Sequence, residues 1–348
     1  MHKDATLGRR DVLRLGAGIG LAAGVLPLLS ACGNGSSSSE GGTIGTANVV
    51  NTGSNNTYTL QELLNRQGYL EEFGIAADTQ NVSDGGRLMG NLLNGRSDIT
   101  LLSGFGQVLP AIEKGGALKV VAGAGVLTGQ AVYTAKPEIT AVSDLAGRTV
   151  GTGAPGALLH QLVVALLTNN DVDPGSVEFV NIGASGDVFR AVAAGKVDAG
   201  PALVDVYDQQ DKYGVHAIAD LWTELPEYTY QGSYASEEAI EQKRDVLVGT
   251  LAAYCKLYRF VSGPDSENAF MDAYAAAVSG GDPAEGQAQW QFAQENQPYA
   301  LDLVISDERI NYMQELNVQQ GIQNGVLPIE DVADMSIARE AAQLADGR

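Results

Sequence analysis

Cysteine is nearly missing from this chain: 348 residues contain two, Cys32 and Cys255. Histidine is almost as scarce, with three, at His2, His160 and His216. A nucleophilic cysteine needs a paired histidine, and these three offer weak partners. No Ser/His/Asp spacing and no cluster of metal-ligand spacing stands out, so the chain is not expected to be an enzyme, and neither a metal nor a cofactor is expected. Positive charge is also short, with 21 Lys and Arg against 42 Asp and Glu and a formal net charge of −21. A field of that sign repels phosphate backbones and makes a nucleic-acid partner improbable. It does not exclude a small anion, because a local group of donors in a cleft can oppose the global charge. The sequence finally lacks a run long enough to span a bilayer. The most apolar stretch, Leu15 to Leu29, is about 15 residues with four glycines, against roughly 20 for a spanning helix.

That stretch follows Lys3, Arg9, Arg10 and Arg14, so the first 31 residues read as an export signal and not as part of the fold. Leu7-Gly8-Arg9-Arg10-Asp11-Val12-Leu13-Arg14 resembles a twin-arginine signal, which exports folded protein. Arginine pairs also occur in plain Sec signals, and both routes stay open. Leu29-Ser30-Ala31-Cys32 resembles the lipobox of bacterial lipoproteins, where small residues admit the signal peptidase and the cysteine thiol takes the lipid. The alternative is a buried cysteine ending an apolar helix. The Gly/Ser-rich tract that follows, residues 33–42, cannot pack and suits a flexible tether. Acylation of Cys32 would hold the protein on the outer side of a cell membrane, since two or three chains suffice where one does not. Cys255 then remains alone inside Val246 to Cys255, an apolar helical run, where a small buried hydrophobe is the expected role.

From Thr43 onward, short β-rich runs alternate with helical stretches, the pattern of open and largely parallel α/β sheets. The spacing predicts strands at 43–50, 76–82, 99–102 and 118–125, then again at 131–134, 149–152, 177–180 and 198–204. Helices are predicted between them, including 60–69 and 156–169. One unit occurs twice, as Leu92-Leu93-Asn94-Gly95-Arg96-Ser97-Asp98-Ile99 and as Ala193-Ala194-Gly195-Lys196-Val197-Asp198-Ala199. The period is too long for a solenoid and fits one unit used once per lobe. Beyond Tyr230 the pattern turns helical, with helices predicted at 237–261, 266–279, 284–295, 307–320 and 329–344.

The segments Asp144-Leu145-Ala146-Gly147-Arg148-Thr149-Val150-Gly151, Gly153-Ala154-Pro155-Gly156, Ala194-Gly195-Lys196-Val197-Asp198-Ala199, and Tyr312 to Asn317 with Asp334-Met335-Ser336 together resemble one class of ABC-transporter substrate-binding proteins. These are the binders of sulfonate, nitrate and taurine, with those of thiamine-pyrimidine precursors and aromatic carboxylates. The resemblance implies a two-lobed periplasmic-binding-protein-like fold, each lobe a mostly parallel sheet flanked by helices, with two crossovers near Val126-Gln130 and Trp222-Gln231. One lobe would comprise residues 43–126 and 231–348 and the other 127–230. It further implies a monomer that takes a small organic ligand between the lobes and delivers it to a membrane permease. A ligand-sensing partner of a membrane receptor would show the same features. Enzymes of related fold in menaquinone and thiamine-pyrimidine synthesis are cytoplasmic, which the export signal opposes.

In such sheets ligands bind outside the carboxyl ends of strands. After the first strand lie Ser54, Asn55 and Asn56, small polar donors whose alternative role is a helix cap by Asn56 or Thr57. After the third, Gly104 and Phe105 offer backbone N–H groups and an aromatic wall. Gly153, Ala154, Gly156 and Ala157 open the long helix of the second lobe, where unpaired N–H groups at the positive dipole end make an anion cradle; a plain tight turn is the alternative. His160 lies one turn further on, with a structural histidine as the alternative, and Ser185 opens a second such helix. Arg87 and Arg190 suit a two-pronged contact with a carboxylate or sulfonate, or are solvated surface residues. Tyr228, Tyr230 and Tyr234, with Trp222 beside them, would stack on a planar ligand or pack in the core.

Overall fold

The computed structural model describes residues 43–82 and 85–347. The signal, Cys32 and the tether lie outside the described residues. Among the described residues, ten strands form two five-stranded sheets. The first contains β1 (Gly45–Thr52), β2 (Ile75–Val82), β3 (Ile99–Ser103) and β4 (Leu118–Gly123). The second contains β5 (Gln130–Thr134), β6 (Thr149–Thr152), β7 (Glu178–Asn181), β8 (Ala199–Leu203) and β9 (His216–Asp220). The chain then returns to the first sheet as β10 (Gly232–Ser236). The strand orders are β2-β1-β3-β10-β4 and β7-β6-β8-β5-β9. In each sheet one strand opposes its neighbours: β10 is antiparallel to β3 and β4, and β5 to β8 and β9. Each is the strand entered directly after the chain has crossed from the other sheet.

The repeated sequence unit has one structural cause. Gly95 and Gly195 both have φ of 66°, a left-handed backbone that glycine adopts without strain and that ends a helix. Three residues later the Asp98 carboxylate accepts the Asn48 amide at 2.9 Å, and Asp198 accepts the Thr149 amide at 2.9 Å. Each aspartate ties the start of its central strand to the neighbouring parallel one. Each also meets a lysine beyond the antiparallel strand, Lys243 after an intervening short helix at 2.8 Å for Asp98 and Lys136 directly after β5 at 3.3 Å for Asp198. Bonds from Thr149, with Lys136 adding to them, hold the Asp198 carboxyl below the usual carboxylate range.

Among helices longer than two turns, α1 (Asn55–Gln67) and α2 (Gly85–Leu93) follow β1 and β2, while α3 (Leu158–Asn169) and α4 (Ser185–Ala193) follow β6 and β7. Leu60, Leu63 and Leu64 bury one face of α1, and Gly68 ends it in the left-handed region. The carboxyl-terminal helices are α5 (Arg244–Val261), α6 (Glu267–Ala277), α7 (Pro283–Asn296), α8 (Asp307–Gln319) and α9 (Ser336–Ala345). Here α5 packs on α9 and on α1, and α6 packs on α1.

Two predicted helices are broken in the structure. The segment 237–261 is interrupted at Lys243, where the backbone turns out of the helix and the ammonium reaches Asp98. The segment 329–344 is interrupted at Ala333, which bridges to Val120 while the Asp334 amide donates to the Val120 carbonyl at 2.9 Å. Both breaks serve the first sheet. The strands β9 and β10 were absent from the sequence pattern. The sequence Gly-Ser-Tyr-Ala-Ser of β10 is buried on both faces except at its last residue, so it shows no alternation. No helix among the described residues is long and apolar enough to cross a membrane.

Candidate functional site

The carboxyl ends of β3 in the first sheet and of β6 in the second carry loops that approach each other, at residues 104–106 and 156–161. A methyl group on Gly106 would lie 2.8 Å from the Gly156 carbonyl oxygen and 2.5 Å from Gln161 Oε1, so only glycine fits without displacement. A methyl group on Gly104 would meet Leu158 and the Tyr230 carbonyl oxygen, each at 3.6 Å. Gly156 has φ of 77° and faces Ile322.

The second lobe contributes donors. The N-cap residues of α3 and α4 are Ala157 and Ala184, neither of which can cap with its side chain. The first amides of both helices therefore lack the side-chain partner that Ser54 gives to α1, where its Oγ accepts the Thr57 amide at 3.1 Å. One amide of the glycine turn is already taken: Gly156 donates to His160 Nδ1 at 3.3 Å. The His160 ring packs on Phe179 with centroids 4.6 Å apart, and burial holds its pKa below the ordinary value, which favours the neutral acceptor seen here.

The region near the crossovers contributes acceptors. Gln130, at the start of β5, is 2% exposed and its Oε1 has no hydrogen-bond partner. Its side chain meets the partly buried Tyr230 hydroxyl, which also feels the charge of Asp205. Asp205 follows the end of β8 in a short 3-10 turn that packs on α7. Burial, with the Glu285 carboxylate beside it, pushes the Asp205 pKa up to about 7. Glu285 accepts from the Tyr274 hydroxyl at 3.0 Å. On the first lobe, Asn56 meets the Tyr299 hydroxyl, and that ring stacks on Tyr258 with centroids 5.1 Å apart.

A chain of buried amides also joins the lobes. Gln161 in α3 donates to Asn317 in α8 at 2.5 Å, Asn317 to Gln323 at 3.4 Å, and Gln323 to Gln314 at 2.9 Å. All four are at most 3% exposed. Tyr228 adds its hydroxyl to Gln161 Oε1 at 3.5 Å.

The sequence candidates separate on this frame. Gly104, Gly156 and Ala157 lie at the approach, with Gly153, Ala154 and His160 on the same turn. The positive φ belongs to Gly156; Gly153 does not share it. Ser54 is the cap of α1, a role assigned by sequence to Asn56 or Thr57, and Asn55 is the first helical residue. Ser185 Oγ accepts the Leu203 amide at 3.1 Å and so anchors α4 to the end of β8. Phe105 is 1% exposed with its ring against Gly232, beneath the loop surface. Arg87 is exposed on α2, which follows the edge strand β2 and packs across β1, β3 and β10. Arg190 is exposed and paired with Asp187 on its own helix. Tyr228 and Tyr234 are buried, while Tyr230 and Trp222 stay partly accessible, Trp222 packing edge-on against Tyr207 and Phe292. Cys255 is fully buried, its thiol facing the Leu301 carbonyl and its pKa pushed up to about 11 by burial. Sequence reasoning missed Asp205, Gln130, Gln161 and Asn317. For Asp205 the signal was present, since it lies just past a predicted strand end.

The chain matches the family model described as NMT1/THI5 like over residues 63–265. No curated protein matches it in sequence. Among solved structures it is similar to the periplasmic aliphatic sulphonate binding protein SsuA from Escherichia coli, with 16% identity and a TM-score of 0.70 over 83% of this chain and 92% of that one. It is similar to the alkanesulfonate-binding protein SsuA from Xanthomonas axonopodis pv. citri bound to MOPS, with 17% identity and a TM-score of 0.67 over 82% and 97% of the two chains. It is also similar to the desulfurization enzyme DSZB, with 17% identity and a TM-score of 0.59 over 87% and 100%. At these identities the likeness concerns the fold, which is that of the two-lobed periplasmic binding proteins.

Proposed function

The chain belongs to the NMT1/THI5-like family, and we propose that it is the solute-binding protein of an ABC-type importer, held outside the cytoplasm by acylated Cys32. It closes its lobes on a small organic ligand, a sulfonate, an aromatic carboxylate or a nitrogen heterocycle, and presents it to a membrane permease. The observation that carries this reading is the meeting of strand-end loops from two sheets, with helix starts lacking side-chain caps beside it and buried acceptors near the crossovers. Donors of that kind suit an anionic or acceptor head. Lobes linked by two crossovers suit closure around a ligand. The buried thiol of Cys255 gives no support to the catalytic alternative, despite the fold shared with a desulfurization enzyme.

Gly106→Val tests closure. The added side chain must push against the Gly156 carbonyl, so it holds the lobes apart while leaving each sheet intact. Thermal shift against sulfonates, aromatic carboxylates and heterocycles identifies binders, since a ligand that binds only the folded state raises the melting temperature. Calorimetric titration of the best binder should then show roughly tenfold or greater loss of affinity in Gly106→Val. Unchanged affinity in a folded variant would place binding elsewhere than between the lobes.

A further inference from the structure

Asp205 has no cation to meet. Among the described residues no ion pair includes it, and Lys212, seven residues on, pairs with Asp282 at 3.9 Å. Its charged neighbour from α7 is Glu285, a second carboxylate. On the strand side, β5 and β8 pair Gln130 with Leu203, two residues before Asp205, and the unpartnered Oε1 belongs to that same buried Gln130. The Tyr230 hydroxyl interacts with both. Tyr133 and Tyr274, the other titratable groups that feel this charge, are phenols and remain neutral. The site therefore holds carboxylate, amide and phenol oxygens with no positive group among them. An ammonium has three donors and no acceptor, which is the complement of such a set.

Building on the cleft reading above, we propose that Asp205 is the specificity-determining residue of the cleft and receives a protonated nitrogen of the ligand, with Gln130 and Tyr230 taking its other hydrogens. The ligand is then dipolar. Its anionic or acceptor head faces the starts of α3 and α4, and its ammonium faces the crossovers. A carboxylate kept where burial disfavours its charge is consistent with a partner that arrives from outside, since functional sites concentrate such groups.

Matched probes test this. The pairs are 3-aminopropane-1-sulfonate with propane-1-sulfonate, and 4-(aminomethyl)benzoate with 4-methylbenzoate. Each pair shares its anionic head and differs in the ammonium. The full mature chain is titrated calorimetrically near the Asp205 pKa, in two buffers of different ionisation enthalpy. The amine-bearing member of at least one pair should bind roughly tenfold or more tightly than its mate. Its binding should also release a proton to the buffer, as the Asp205 carboxyl ionises against the ammonium. Asp205→Asn should abolish both the preference and the proton release, and Asp205→Glu should restore part of the preference; the melting temperature of each variant shows whether it is folded. Amine-free members that bind as well as or better than their mates overturn the inference and leave the cleft reading standing. A preference that survives in Asp205→Asn also overturns it. If no member of either pair binds the wild type, the inference fails together with the sulfonate and aromatic carboxylate reading of the cleft.

Discussion

Asp205 makes a measurable statement about stability as well as about ligand choice. Its pKa in the folded protein, about 7, lies above the unfolded value of 3.8. Folding therefore takes up a proton between those two values, and stability falls as pH rises through that window. Above about pH 7 the full penalty of a buried charge beside Glu285 is present, and below the ordinary carboxylate pKa it vanishes. Asp205→Asn keeps the shape and removes the charge. Melting temperatures across this range should show the variant gaining on the wild type as pH rises, with little difference at the acid end. A difference that does not change with pH would mean that the carboxyl titrates normally. Asp198 has the opposite sign: its depressed pKa adds stability that is present above the unfolded value and lost as pH falls through the folded one. Against the wild type at acid pH, the two aspartates pull in opposite directions.

At the level of elements, the lobes are joined by more than their crossovers. The buried amide chain from Gln161 through Asn317 to Gln323 connects α3 of the second lobe to α8 and the loop after it. Replacing one partner leaves the other buried and unsatisfied, at about 1–3 kcal/mol. Gln161→Leu and Asn317→Leu should each lower stability by that amount in denaturant unfolding, while the double variant should cost clearly less than their sum. Additive effects would show that the two amides do not interact in solution. This chain also marks the limit of what the sequence reveals. The glycine-to-aspartate unit at Gly95–Asp98 and Gly195–Asp198 is legible because its cause is local, a left-handed glycine and a carboxylate three residues on. Gln161 sits in the apolar run of α3 and its partner is 156 residues away, so no local pattern announces it. The glycine turns that open helices at the proposed cleft were legible for the same local reason. Gln130 was not, because its pairing with Leu203 exists only in the folded sheet, whereas Asp205 lay in view just past a predicted strand end and was passed over. The arginines at 87 and 190 were chosen by type alone, and what the fold adds is that Arg190 pairs with Asp187 on its own helix while Arg87 is exposed on α2.

For the whole molecule, the proposed anchor is separable from the fold. Cys32 lies outside the described residues, and the anchoring proposal rests on the lipobox and the tether behind it. Cys32→Ala should leave an unacylated precursor that incorporates no labelled fatty acid, while a mature chain beginning after the tether should unfold like the anchored form. Recovery of normally processed, membrane-held protein from Cys32→Ala would reject the lipobox. The same separability does not hold between the two sheets. The strands β5 to β9 are contiguous in the chain, so the second lobe has all of its strands once residue 220 has left the ribosome. The first sheet must wait for β10, which inserts between β3 and β4. At about 5–20 residues per second, the roughly 110 residues from the end of β4 to β10 take some 5–20 s to synthesise. During that interval β3 and β4 present unpaired edges, the kind of surface on which chains join one another. The half of the protein made first is thus the half completed last.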